Sequence, residues 1–119
     1  MKKSNEPQVL RGEIYYATLS SPFGSEQGGI RPVLIVQNNV GNKHAPTTII
    51  APITSRTSKH KLPTHVEVGC EGGLTSCGLI LLEQVRTIDK LRLRQKVGEL
   101  APERMAEVDK ALRVSLGLV

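Results

Sequence analysis

Over most of the chain the apolar residues come in short runs or alternate with polar ones, and only the last stretch shifts to a helical period. Residues 12–19, with Ile14, Tyr15, Tyr16, Thr18 and Leu19, are rich in β-branched and aromatic side chains and predict a first strand. Residues 20–30 are polar and carry Gly24, Gly28 and Gly29, so they predict a loop. Residues 32–38 predict a second strand whose middle, Val33 to Val36, is apolar on both faces, the pattern of a central strand. Residues 39–46 read as turn chemistry, and 47–53 as a third strand. There Pro52 marks an edge or a bulge, since proline has no N–H to give a ladder. Beyond a basic loop at 55–61, residues 64–68 alternate polar and apolar, and 69–76 form a glycine-bearing connection. Residues 78–82 predict a buried strand, 85–88 its continuation, and 96–100 a shorter strand.

In the last element Met105, Val108, Leu112 and Leu116 recur at helical spacing. Pro102 suits the first helical position, and Glu103 and Glu107 lie early, where the helix dipole favours acids. Lys110 and Arg113 come late, and Gly117 can end the helix. The fold class that follows is mostly β with one C-terminal amphipathic helix: five to seven short strands forming a small, partly closed barrel.

Length and charge narrow the picture. The chain has 119 residues, enough for one domain with a real core and too few for two. No apolar run approaches the roughly 20 residues of a membrane span. The basic start, Met1-Lys2-Lys3, is followed by no apolar segment of the kind that directs export, so no membrane association and a cytoplasmic location are expected. Net charge is +5, from 16 basic and 11 acidic residues, and its distribution matters more than its size. No acid lies between Glu26 and Glu67, while Arg31, Lys43, Arg56, Lys59, Lys61 and all three histidines do. A second basic run holds Arg86, Lys90, Arg92, Arg94 and Lys96 against Asp89 alone. Such asymmetry suits a polyanion, nucleic acid above all, or an acidic protein segment.

Candidate chemistries can be tried in turn. Asp89 and Asp109 are the only aspartates, and no close acidic cluster is visible, so a metal-dependent nuclease is a poor fit and no metal or other cofactor is expected. Cys70 and Cys77 make neither a disulfide framework nor a zinc-ribbon spacing. His60 and His65 are the natural acid and base for cleaving RNA, but their spacing points them to opposite faces, which leaves them as surface or partner-binding residues. The glycine-rich loop is neither a Walker loop nor a dinucleotide fingerprint. It delivers Arg31 to the start of a central strand, with Pro32 stiffening the backbone after it. Such an arginine is always charged and can grip two phosphate oxygens, or it merely pairs with Glu26 or caps the sheet edge.

At this loop the sequence resembles a known family. Gly24-Ser25-Glu26-Gln27-Gly28-Gly29-Ile30-Arg31-Pro32-Val33-Leu34-Ile35-Val36-Gln37-Asn38 is similar to the signature of the MazF/PemK-type toxins. The similarity continues through Ala51-Pro52-Ile53-Thr54, Leu62-Pro63-Thr64-His65-Val66 and Leu81-Leu82-Glu83-Gln84-Val85-Arg86-Thr87-Ile88-Asp89-Lys90. It divides the chain into an N-terminal extension, residues 1–10, and one MazF/PemK-like domain, residues 11–119. It implies an SH3-like barrel with a C-terminal helix, a homodimer, and sequence-specific, metal-independent cleavage of single-stranded RNA, including mRNA. It also implies a cognate MazE-like antitoxin whose acidic C-terminal tail fills the RNA groove.

Carried over residue by residue, the resemblance makes Arg31 and Thr54 the catalytic pair. Ser25, Glu26 and Gln27 match the segment lying over the RNA, and Gln84 lies in a region that helps read bases. Phe23 either stacks on a base or packs within the loop. Arg56, Lys59 and Lys61 would draw in phosphates. The implied products are a 2′,3′-cyclic phosphate and a 5′-OH. Arg31 would stabilise the charged phosphorane and the Thr54 hydroxyl would add a second donor. Glu26 is the nearest candidate base. Two readings stand beside the enzyme: a barrel that binds nucleic acid without cutting it, and a CcdB-like toxin that binds a protein such as gyrase.

Overall fold

The computed structural model describes residues 8–20, 23–24, 26–55 and 62–118. Seven strands appear: β1 (Glu13–Leu19), β2 (Gly29–Ile35), β3 (Thr47–Thr54), β4 (His65–Val68), β5 (Gly78–Leu81), β6 (Arg86–Asp89) and β7 (Leu93–Glu99). Two α-helices join them, α1 (Asn39–His44) and α2 (Pro102–Leu116). Every strand pairing is antiparallel, in the order β4-β5-β3-β2-β1-β7, with β6 also on β3. The β5 and β6 segments are one interrupted strand: β5 pairs the end of β3, β6 pairs its start, and a 3₁₀ turn at Leu82–Gln84 is inserted between them. Pro52 coincides with that interruption, so a proline sits in a central strand where one flanking ladder is already broken.

The doubly apolar run of β2 is explained by two cores. Leu34 and Val36 pack with Ile14, Ala51, Ile80, Val108 and Ala111 on the α2 side. Val33 and Ile35 pack with Tyr15, Ala17, Ile50 and Ile88 on the other. Alternate side chains thus enter opposite cores, as the strand period requires. On the second side Glu13 is a buried carboxylate with three partners: the Leu10 N–H at 2.8 Å, the Tyr15 hydroxyl at 3.1 Å and Lys96 Nζ at 2.9 Å. Burial, then the Glu13 charge and hydrogen bond, push the Tyr15 hydroxyl up to about 12. Val9 is buried in the same cluster, so packing begins ahead of the first strand.

The sheet curls without closing. Among the described residues β4 and β7 share no ladder, and the β4–β5 connection crosses β7 instead. A Cβ on Gly73 would stand 2.1 Å from the Val97 carbonyl oxygen, and one on Gly98 would stand 2.2 Å from that of Gly72. Glycine is required there because two backbones touch.

Helix α2 starts with Pro102 and ends at Gly117, whose φ of 72° lets the Leu118 N–H reach back to the Arg113 carbonyl at 2.8 Å. Val108 and Ala111 carry its buried face, while Leu116, expected on the apolar stripe, is 58% exposed beyond it. The 39–46 region is not turn alone. Asn38 caps α1 by accepting the Gly41 N–H at 2.8 Å, and Asn42 is buried, donating to the Gln37 carbonyl and accepting from Thr48 Oγ1 at 2.7 Å. No described helix is long and apolar enough to cross a membrane.

Candidate active site

The pairing of β2 with β3 brings the two residues singled out in sequence together. The ladder runs from Ile35–Ile50 to Val33–Pro52 and ends there. Just past its end Arg31 and Thr54 line the same two cavities. Thr54 is buried at the end of β3, where it pairs with Leu79 of β5. Arg31 is half-buried, and its Nε donates to the Gly28 carbonyl at 2.9 Å. The guanidinium therefore answers to the loop backbone. It does not pair with Glu26, one of the two plain alternatives, while its bond to Gly28, just ahead of β2, fits the other, a cap on the sheet edge.

Two cavities meet at Arg31, Thr54 and Ser55. One of about 530 Å³ runs under the β1–β2 connection, lined by Gly24, Glu26, Gln27 and Gly28. The other, about 300 Å³, runs toward the β4–β5 connection, with Tyr16, Thr75, Ser76 and Cys77 in its wall. Together they make a polar groove with a fixed cation and a hydroxyl at its middle, the arrangement that grips a phosphate oxygen.

The remaining expected residues are placed unevenly. Glu26 shares the first cavity, and its Oε1 accepts the Phe23 N–H at 3.2 Å. Phe23 is 84% exposed, so packing within the loop does not account for it. The Gln27 N–H donates to Gln84 Oε1 at 3.1 Å, so Gln84 holds loop backbone as well as lining a third cavity beside Glu26. Ser25, Arg56, Lys59 and Lys61, like His60, lie outside the described residues. His65 is not the open surface residue its spacing suggested. Its ring is nearly buried, Nδ1 accepts from the Leu62 N–H, and Nε2 stands 3.0 Å from Glu83 Oε2. Those partners specify the Nε2–H tautomer and occupy both nitrogens.

Sequence reasoning missed the groove's second wall. Thr75 and Cys77 belong to a connection that matches no motif, and Tyr16 is legible only as the residue alternating with buried Tyr15 and Ala17. It also missed Arg86, whose two terminal nitrogens reach the Gln27 carbonyl at 3.3 Å and Ser20 Oγ at 3.2 Å. In sequence Arg86 is one basic residue in a run of five.

Fold and groove define a class: a small curled antiparallel sheet, backed by one helix, with a polar groove centred on an arginine and a threonine. Within it, the chain belongs to the PemK-like, MazF-like toxins of type II toxin–antitoxin systems, whose family model matches residues 10–116. It is 53% identical over 112 residues to Endoribonuclease EndoA of Bacillus subtilis (strain 168), covering 93% of this chain and 97% of that protein. Among solved structures it resembles MazF from Deinococcus radiodurans, with a TM-score of 0.81 and 27% identity over 95% of this chain and all of the other. It also resembles an endoribonuclease solved in complex with its cognate antitoxin, from a mycobacterial species. That match has a TM-score of 0.74 and 30% identity, covering 96% of this chain and 98% of the other.

Proposed function

We propose that this chain is a sequence-specific endoribonuclease toxin that cuts single-stranded RNA without a metal, leaving 2′,3′-cyclic phosphate and 5′-OH ends. Membership of the family and a 53% identical relative named as an endoribonuclease support the activity. The observation that carries the site is that Arg31 and Thr54 both line the two cavities where these meet. With Nε committed to Gly28, Arg31 offers its terminal nitrogens to the scissile phosphate, and the Thr54 hydroxyl donates beside them. As the 2′-oxygen attacks, negative charge builds on the phosphorane oxygens, and donors already in place need not reorganise. Removing one such donor typically raises a barrier by about 3–4 kcal/mol.

Glu26, in the same cavity, is the candidate for taking the 2′-OH proton. Phe23 stands free to stack on a base, and Arg56, Lys59 and Lys61 supply phosphate attraction. Residues 11–119 form the catalytic domain, with 1–10 an N-terminal extension. The protein works as a homodimer in the cytoplasm and is neutralised by a cognate antitoxin whose acidic tail occupies the groove. That reading draws support from the acid-free stretch and from the relatives solved with antitoxins.

The test is incubation with long single-stranded RNA in EDTA, followed by end analysis. Cleavage should survive chelation and leave cyclic phosphate ends. Arg31→Ala, still folded by its thermal melt, should lose at least two orders of magnitude in single-turnover rate at saturating RNA. Thr54→Ala should lose rate with affinity largely kept. RNA retained but left uncut by the wild type would establish the binding barrel instead.

A further inference from the structure

Resting on the reading of Arg31 as the transition-state cation, we propose that Arg86 is a positioning residue that aims Arg31 through the backbone of the β1–β2 connection. The path is continuous. Arg86 lies in β6, paired with Ile50 of the central strand β3, so its Cα is held by a ladder. Its guanidinium spans the connection, one terminal nitrogen on the Gln27 carbonyl at 3.3 Å and the other on Ser20 Oγ at 3.2 Å. One side chain thus ties the segment leaving β1 to the segment entering β2. Gln84 takes the N–H of the same Gln27 at 3.1 Å, so both polar groups of that residue are gripped from outside the loop.

What Gln27 transmits follows from peptide geometry. Its carbonyl lies in the same rigid plane as the Gly28 nitrogen, so holding the carbonyl restrains the peptide leading into Gly28. The Gly28 carbonyl, one residue further, is the group that accepts Arg31 Nε at 2.9 Å. Gly28 and Gly29 have no side chains to restrict them, and Gly29 sits at a φ of +74° with no heavy atom near its Cβ direction. Gly29 is tied to Leu19 by the β1–β2 ladder, but Gly28 has no such ladder partner among the described residues, and its carbonyl could swing if only one side were held. The clamp supplies the restraint the local sequence lacks. Arg86 lines neither of the cavities that Arg31 and Thr54 share; it lines the third, beside Glu26 and Gln84, and reaches Arg31 only through the loop backbone.

The test is a double-mutant cycle in the full chain, with single-turnover rates at saturating RNA, RNA affinity, and thermal melts. Arg86→Ala should lose roughly 10- to 100-fold in rate, the scale of a misplaced catalytic group, with affinity changed less than about threefold. In the Arg31→Ala background, Arg86→Ala should cost nothing further, because nothing remains to be aimed. The Arg31 Nε–H signal in NMR should exchange faster in Arg86→Ala. Ser20→Ala removes the second anchor of the Arg86 guanidinium and should show the same pattern more weakly, which carries the test if Arg86→Ala does not fold. Full rate in Arg86→Ala, loss confined to affinity, or additive loss with Arg31→Ala would overturn the proposal. Full cleavage by Arg31→Ala itself would instead overturn the reading beneath it.

Discussion

The β1–β2 connection takes its place over the groove because side chains from β6 and the 3₁₀ turn grip its backbone. The β4–β5 connection, on the other side, takes its place because it lacks side chains where it crosses β7. Both line the Arg31–Thr54 groove, yet they are held by different physics. The first wall rests on a few polar contacts at partly exposed groups, each worth about 1 kcal/mol, and can be released and remade. The second is fixed by excluded volume: Gly73 and Gly98 bring two backbones together, and no side-chain motion relieves an atom added at either.

The largest effect should come from filling the fixed wall. Gly73→Ala places a Cβ 2.1 Å from the Val97 carbonyl oxygen, at a φ of +88° that side chains rarely adopt. The Cβ is fixed rigidly to the Gly73 backbone and the atom it meets is backbone, so the connection must leave β7. Urea unfolding should show a loss of about 3 kcal/mol or more, with a correspondingly large fall in Tm. Gly98→Ala, which meets the Gly72 carbonyl at 2.2 Å, should behave alike. A loss under about 1 kcal/mol in both would mean that the two backbones do not touch.

Gly24, in the adjustable wall, sharpens the contrast. Its φ is +62°, also left-handed, but nothing lies within 4 Å of its Cβ direction. Gly24→Ala should therefore show only the backbone cost of that conformation, about 1–2 kcal/mol. The two alanines isolate steric exclusion from conformational strain, since φ is positive in both. Equal destabilisation by Gly24→Ala and Gly73→Ala would erase the distinction between the walls.

The same difference decides what the sequence made legible. Strands β1, β2 and β3 declared themselves because side-chain alternation and two-sided burial act locally. Helix α2 did so through its period, its Pro102 start and its Gly117 stop. Arg31 stood out through the loop that delivers it and Thr54 only through resemblance; what joins them is the pairing of β2 with β3, which no local pattern states. Helix α1 hid because Asn38, Asn39 and Gly41 are as apt for a turn as for a cap, and what decides is Asn42 burying its amide against Gln37 and Thr48. The role of residues 69–76 hid because a glycine's meaning there is set by β7, more than twenty residues away along the chain. Arg86 hid as charge: a run of bases predicts attraction, whereas its geometry is a clamp on two uncharged oxygens.

The smallest effect tests whether charge adds anything to the fixed wall. Arg104 of α2 donates to Glu71 in the β4–β5 connection through Nε at 2.8 Å and Nη2 at 3.1 Å. Those hydrogen bonds hold the Glu71 carboxyl below its usual 4.5, with burial opposing them and the Gly69 N–H assisting. A carboxyl lowered in the folded state favours folding fully above its unfolded value, and that contribution fades as pH falls through the lower folded value. The pair is partly exposed, so its worth at neutral pH is about 0.5–1 kcal/mol. Glu71→Gln should thus be slightly less stable than wild type at pH 7, by less again in high salt. The two proteins should converge at acid pH, where Glu71 is protonated whether folded or not. Urea melts across that range decide it. A gap that stays constant into acid would assign Glu71 to packing alone, and the wall to glycine alone.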